Sequence, residues 1–98
     1  MSLGLGADND WRALAIRIRV ARRVRELRTE RGLTQEALAQ RAGMHRPVIG
    51  RVERAKHALQ VETLQRIANA LEVSMKVFFV EVDVVNFWWA RAQRREVA

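Results

Sequence analysis

The segment from residue 33 to residue 53 constrains the fold of this chain more than any other. Thr34 is a good helix cap, and the helical pattern that it starts stops at Gly43. Glycine readily adopts left-handed backbone conformations, so this position predicts a sharp turn. Pro47 stands near the start of residues 45–53, where its missing N–H costs no hydrogen bond. The segment therefore predicts two short helices that cross steeply at a tight turn.

A first helix is predicted over residues 11–31, which contain neither glycine nor proline. A residue of the range 8–10 is expected to cap it, and Gly32 suits a left-handed helix end. Its apolar residues recur at three- and four-residue steps, which indicates one helical face. They are Leu14, Ile18, Ala21, Val24 and Leu27.

Two further helical segments are predicted after the turn. One covers residues 61–71, and Ser74 is expected to cap a short fifth segment over residues 75–79. The chain of 98 residues is long enough for one small domain. We therefore predict an all-α fold organised as a flexible N-terminal arm (1–9), a compact five-helix domain (10–79) and a C-terminal extension (80–98).

The charge of the chain indicates the chemistry of its partner. There are 18 Lys and Arg residues against 11 Asp and Glu residues, a formal net charge of +7. Such an excess in a small domain is typical of a protein that binds a polyanion. No run of about 18 apolar residues occurs, so no membrane span is expected. The cysteine-free composition fits a cytoplasmic location.

The sequence contains no recognisable catalytic arrangement. There are no cysteines, and no phosphate-binding glycine loop or Ser–His–Asp order is visible. His45 and His57 lack further ligands nearby, so we predict no metal, no cofactor and no enzymatic activity. His45 is better interpreted as an improvised helix cap or a phosphate contact.

The helix over residues 45–53 has one apolar side, formed by Ile49 and Val52. A helix about 10–12 Å across fits the major groove of DNA, which is about 12 Å wide. Arginine side chains on the other side could each grip O6 and N7 of a guanine, and a glycine could permit close approach. The residues predicted to read bases are Arg46, Pro47, Gly50 and Arg51.

Residues 20–79 resemble the Cro/repressor-type helix-turn-helix family, also called the xenobiotic-response-element family. The resemblance rests on a gapless series of matches: Arg25, Leu27-Arg28, Gly32-Leu33-Thr34-Gln35, Leu38-Ala39, Gly43, Ile49, Glu53-Arg54, Thr63-Leu64 and residues 68–73. It implies a lambda-repressor-like domain that regulates transcription as a homodimer on double-stranded DNA. The recognition helix, residues 45–53, would then enter the major groove.

The resemblance also implies individual roles. Arg28 and Glu53 match a pair that forms a structural salt bridge, and Gln35 matches a phosphate contact. The complete set of predicted phosphate contacts is Thr34, Gln35, His45, Arg54 and Lys56. Three positions depart from the family pattern: His45 replaces a Ser or Thr cap, Ala55 replaces a frequent glycine, and Pro47 replaces a hydrogen-bonding side chain.

The C-terminal extension leaves two alternatives open within the family. The chain resembles restriction–modification controller proteins, and it is also similar to antitoxins that bind a partner protein and autoregulate through DNA. Valines that alternate with Glu81 and Asp83 predict a strand exchanged between two copies, although a helix would give an apolar dimer patch. The aromatic tail could instead bind a small-molecule effector, but self-association is the preferred interpretation. The residues predicted to dimerise are Phe78, Phe79, Val80, Val82, Val84, Phe87, Trp88 and Trp89.

Overall fold

The computed structural model describes residues 11–80, which form four α-helices and a final 3₁₀ helix. No strand occurs among these residues, so the predicted all-α fold is confirmed, with the fifth helix reduced to a short 3₁₀ helix. The N-terminal arm, the cap of the first helix and the predicted strand beyond Val80 lie outside the described residues. The elements are α1 (Trp11–Glu30), α2 (Gln35–Ala42), α3 (Arg46–Arg54), α4 (Val61–Leu71) and the 3₁₀ helix (Met75–Phe78).

Two glycines reverse the chain where the sequence predicts it. Gly32 and Gly43 have φ angles of 66° and 68°, in the left-handed region. After α2, the N–H of Gly43 donates to the carbonyl of Gln40 at 3.2 Å, and that of Met44 donates to Ala39 at 2.9 Å. This paired arrangement satisfies the last carbonyls of α2 and turns the chain into α3.

Two other helices end on a residue that is not glycine. Ala55 after α3 and Glu72 after α4 both have a φ angle of 58°. A side chain in this region crowds the following carbonyl and costs about 1–2 kcal/mol. Ala55 therefore adopts a backbone conformation that glycine would adopt without this cost.

The core lies where α1, α2, α3, α4 and the 3₁₀ helix meet. Phe78 is fully buried in it, so the prediction that Phe78 belongs to a dimer surface is corrected. Its ring closes the core from the 3₁₀ helix, whereas Phe79 and Val80 beside it are each 41% exposed. The core residues are Val20, Val24, Leu27, Leu38, Ala39, Ile49, Val52, Leu64, Ile67, Ala68, Leu71 and Phe78.

The apolar face of α1 differs from the prediction. Leu14 and Ile18 are 40% and 42% exposed, whereas Val24 and Leu27 are buried. Leu14 lies only about 20° around the helix axis from the buried Ala21, so its exposure reflects its place in residues 11–19, none of which is buried, rather than its helical face. Ile18 in addition lies roughly 180° from Leu27, because repeated three-residue steps fall short of the helical period of 3.6. None of the described helices is long and apolar enough to cross a membrane.

Candidate nucleic-acid interface

The pair α2 and α3 is positioned by local caps and by the core. The Thr34 hydroxyl accepts a hydrogen bond from the N–H of Ala37 at 3.0 Å, which caps α2. His45 occupies the cap position of α3 in an extended conformation, but its side chain makes no capping hydrogen bond. Ile49 and Val52, which are 0% and 7% exposed, anchor α3 in the core. The opposite side of α3 is thereby held toward solvent.

That outer side carries exposed arginines. Arg46, Pro47 and Arg51 are all exposed, as expected for residues that could reach base edges. Arg46 opens α3, and Arg51 lies in its last turn. Both guanidinium groups extend from a helix whose backbone is fixed by the core, so they are well placed to enter a groove as donors.

Gly50 lies in a different environment from its predicted neighbours. It is buried, and a Cβ atom built on it would lie 3.0 Å from Nη1 of Arg54. Arg54 follows four residues later on the same helix, so its side chain can reach back over the position where Gly50 leaves space. Because Gly50 has no side chain, the Arg54 guanidinium packs over it and covers this part of α3.

The ion pair between Arg28 and Glu53 is present and bidentate. Arg28 Nε donates to Glu53 Oε2 at 2.7 Å, and Nη2 donates to Oε1 at 3.0 Å. Arg28 Nη1 also donates to the carbonyl of Leu33 at 2.8 Å. The two charged side chains are only 13% and 5% exposed. Hydrogen bonding to Glu53 is the main cause that raises the pKa of Arg28, with burial opposing it and the charge of Glu53 adding to it.

Gln35 connects this ion pair to the start of α2. Its Nε2 donates to Glu53 Oε1 at 3.1 Å. An amide nitrogen carries two N–H donors, so one remains for a phosphate. The other predicted phosphate contacts are exposed around α2 and α3: Thr34, His45, Arg54 and Lys56.

An open groove of about 430 Å³ lies between α3, the following loop and the start of α4. It brings His57, Gln60 and Thr63 beside Arg51, a juxtaposition that the sequence analysis missed. Periodicity carries no signal for it, because the residues belong to three different elements. Within residues 11–80, no cluster of three or more His, Asp or Glu residues could hold a metal ion.

Comparison with known sequences identifies the family. A helix-turn-helix family model matches residues 24–78. The chain is 38% identical over 79 residues to the control protein C.SmaI of Serratia marcescens, covering 81% of this chain and 94% of that protein. It is 30% identical over 67 residues to the immunity repressor protein of Bacillus phage phi105, covering 68% of this chain and 46% of the repressor.

Solved structures give the same result. The restriction-modification controller protein C.AhdI from Aeromonas hydrophila superposes with a TM-score of 0.63 at 35% identity, over 66% of this chain and 98% of the controller. A hypothetical transcription factor from Neisseria shares the fold over 100% of this chain and 97% of its own, with a TM-score of 0.66 at 21% identity. The chain belongs to the helix-turn-helix family, whose Cro/repressor-type members are DNA-binding transcriptional regulators.

Proposed function

We propose that this protein reads double-stranded DNA with α3 in the major groove and regulates transcription in the cytoplasm as a homodimer. The observation that carries the proposal is the outward exposure of Arg46 and Arg51 on a helix anchored by Ile49 and Val52. A flexible surface arginine would lose entropy on binding, but the rigid backbone of α3 limits that cost to the side chain itself.

The magnitude of the expected base reading follows from bidentate geometry. One arginine that grips O6 and N7 of a guanine contributes about 1–3 kcal/mol of discrimination, which is roughly 5- to 150-fold in relative affinity. A residue that contacts only phosphate weakens binding to all sequences alike. We assign Arg46 and Arg51 to the first class, and Lys56 and Arg54 to the second. Pro47 contributes the shape of the helix start.

The experiment compares two variants by competition gel shift at fixed salt, with genomic fragments as competitors. Arg51→Ala should lower the affinity for the preferred fragment far more than for the others, because it removes a base contact. Lys56→Ala is the matched control, an exposed cation beside α3 that should weaken all fragments equally. A uniform loss with Arg51→Ala, and an unchanged preferred fragment, would refute base reading by Arg51.

A homodimer would present two copies of α3 to two half-sites roughly 34 Å apart, one turn of DNA. Phe79 and Val80 are exposed at the end of the described chain and are available to such an interface. The contribution of residues 82–89 stays a prediction, because they lie outside the described residues. Light scattering of a chain ending at Phe79 tests it: monomers support the dimer role of the extension, and an unchanged mass contradicts it.

Of the two roles that the sequence leaves open, we propose that of a restriction–modification controller. The similarity to the proteins C.SmaI and C.AhdI supports this choice. In that case a neighbouring gene should encode a restriction endonuclease, and the protein should shift the promoter fragment upstream of that gene. A neighbouring toxin gene, together with co-purification of its product, would instead favour the antitoxin role.

A further inference from the structure

The N-terminal half of α1 extends beyond the core and carries an apolar surface. All buried residues of α1 lie between Val20 and Leu27, and none lies in residues 11–19. The family match begins only at residue 24. Yet this outer half holds four large apolar side chains that are at least 40% exposed: Trp11, Leu14, Ile16 and Ile18. Apolar groups at such density are typical of a surface that another segment covers.

The described chain ends near α1, next to the half that contributes to the core. Arg23 Nε donates to the carbonyl of Val77 at 3.2 Å, which ties the 3₁₀ helix to α1. From Arg23 to Trp11 the helix rises about 18 Å. The segment of residues 81–89 would span roughly 30 Å if fully extended. It is therefore long enough to reach Trp11, Leu14 and Ile18, which lie within about 60° of one another around the helix axis and form the apolar face of this half. Ile16 lies on the opposite side of the helix.

Charge favours residues 81–89 of the same chain, rather than α1 of a second copy, as the segment that covers this surface. Residues 11–25 contain arginines and no acidic residue, so two copies of α1 would repel each other. In contrast, residues 80–85 alternate valine with Glu81 and Asp83, and three aromatic residues follow at 87–89. Among the described residues, the buried Nε of Arg17 has no hydrogen-bond partner, a state that an incoming carboxylate would relieve.

We propose that residues 80–89 dock on the N-terminal half of α1 of the same chain. Their valines and aromatic rings cover the apolar face, and Glu81 and Asp83 lie among the arginines. Attachment through Val77 gives the segment an effective concentration on the order of millimolar, which favours an intramolecular contact. This contact requires neither DNA nor a second copy, so it is independent of the proposed base reading. It is an alternative to the dimer role of residues 82–89, because the same side chains cannot cover α1 of their own chain and a second copy at once.

The test measures how fast a thiol reagent labels a cysteine placed on the face. The chain has no cysteine of its own, and Ile18 is 42% exposed, so the Ile18→Cys variant introduces one reporter without opening the core. Docking predicts severalfold slower labelling in the full chain than in a chain that ends at Val80. Val61→Cys is the control, because Val61 is 67% exposed on α4 and its labelling rate should not change.

Two further results decide between occupants. Reversing the charges in Glu81→Lys and Asp83→Lys should raise the labelling rate toward that of the shortened chain, while Glu62→Lys on α4 should leave it unchanged. The protection should also be the same across a hundredfold range of protein concentration. Equal rates in the full and shortened chains would overturn the proposal, and so would protection that rises with concentration, since a second copy would then cover the face.

Discussion

Removal of the Arg28 guanidinium is expected to cost about 3 kcal/mol or more of folding stability, because its partner would remain buried. Glu53 is only 5% exposed and accepts two hydrogen bonds from Arg28, at 2.7 and 3.0 Å. Breaking a buried pair by removing one partner typically costs 3–5 kcal/mol, and the remaining hydrogen bond from Gln35 places Arg28→Ala toward the lower part of that range, about 3 kcal/mol. Domains of this size have about 5–15 kcal/mol in total.

Urea unfolding followed by circular dichroism measures this effect, with Arg25→Ala as the control. Arg25 is exposed on the same helix, so its truncation should change stability by no more than about 0.5 kcal/mol. In addition, replacing Arg28 and Glu53 together by leucine should cost less than the sum of the two single changes. A loss below about 1 kcal/mol for Arg28→Ala, or strict additivity in the double variant, would refute the reasoning.

Further substitutions test the conformation of single positions. Glu72→Gly should stabilise the domain by about 1 kcal/mol, because it relieves a φ angle of 58° on an exposed residue, whereas Gln65→Gly inside α4 should destabilise it by a similar amount. Gly43→Ala should lower the free energy of unfolding by about 1–2 kcal/mol, because it places a side chain at a φ angle of 68°. Thermal unfolding compares all three variants. Gly50→Ala should weaken DNA binding by displacing the Arg54 guanidinium that packs over Gly50. The same change should therefore have no effect in an Arg54→Ala background. An equal loss in both backgrounds would mean that the glycine serves close approach to DNA instead.

The sequence predicts the turn between α2 and α3 well because the cause is local. Gly43 adopts the left-handed conformation without the steric cost that a side chain would add, and Thr34 needs only its own helix to act as a cap. The ion pair of Arg28 and Glu53 is predicted only by the family resemblance, because local rules do not reach two residues that lie 25 positions apart. Such a pairing depends on the crossing of α1 and α3.

Features that depend on tertiary packing were predicted less well. Phe78 and Phe79 are adjacent and chemically identical, and only the orientation of the 3₁₀ helix buries the first and exposes the second. Leu14 and Ile18 share the spacing of the buried residues of α1, but spacing does not indicate how far along a helix the core extends, and none of residues 11–19 is buried. The cover of Gly50 by Arg54 depends on a side-chain conformation that residue type alone does not specify.

Selection of bound DNA from a random pool tests the central claim, that a pair of α3 helices reads the major groove. The full chain should enrich a two-fold symmetric site with guanines at matching positions in half-sites roughly 34 Å apart. Selection with Arg46→Ala combined with Arg51→Ala should lose those guanines from both half-sites, because their donors are gone. An unenriched pool, or the same consensus from both proteins, would contradict the assignment of α3 as the reading helix.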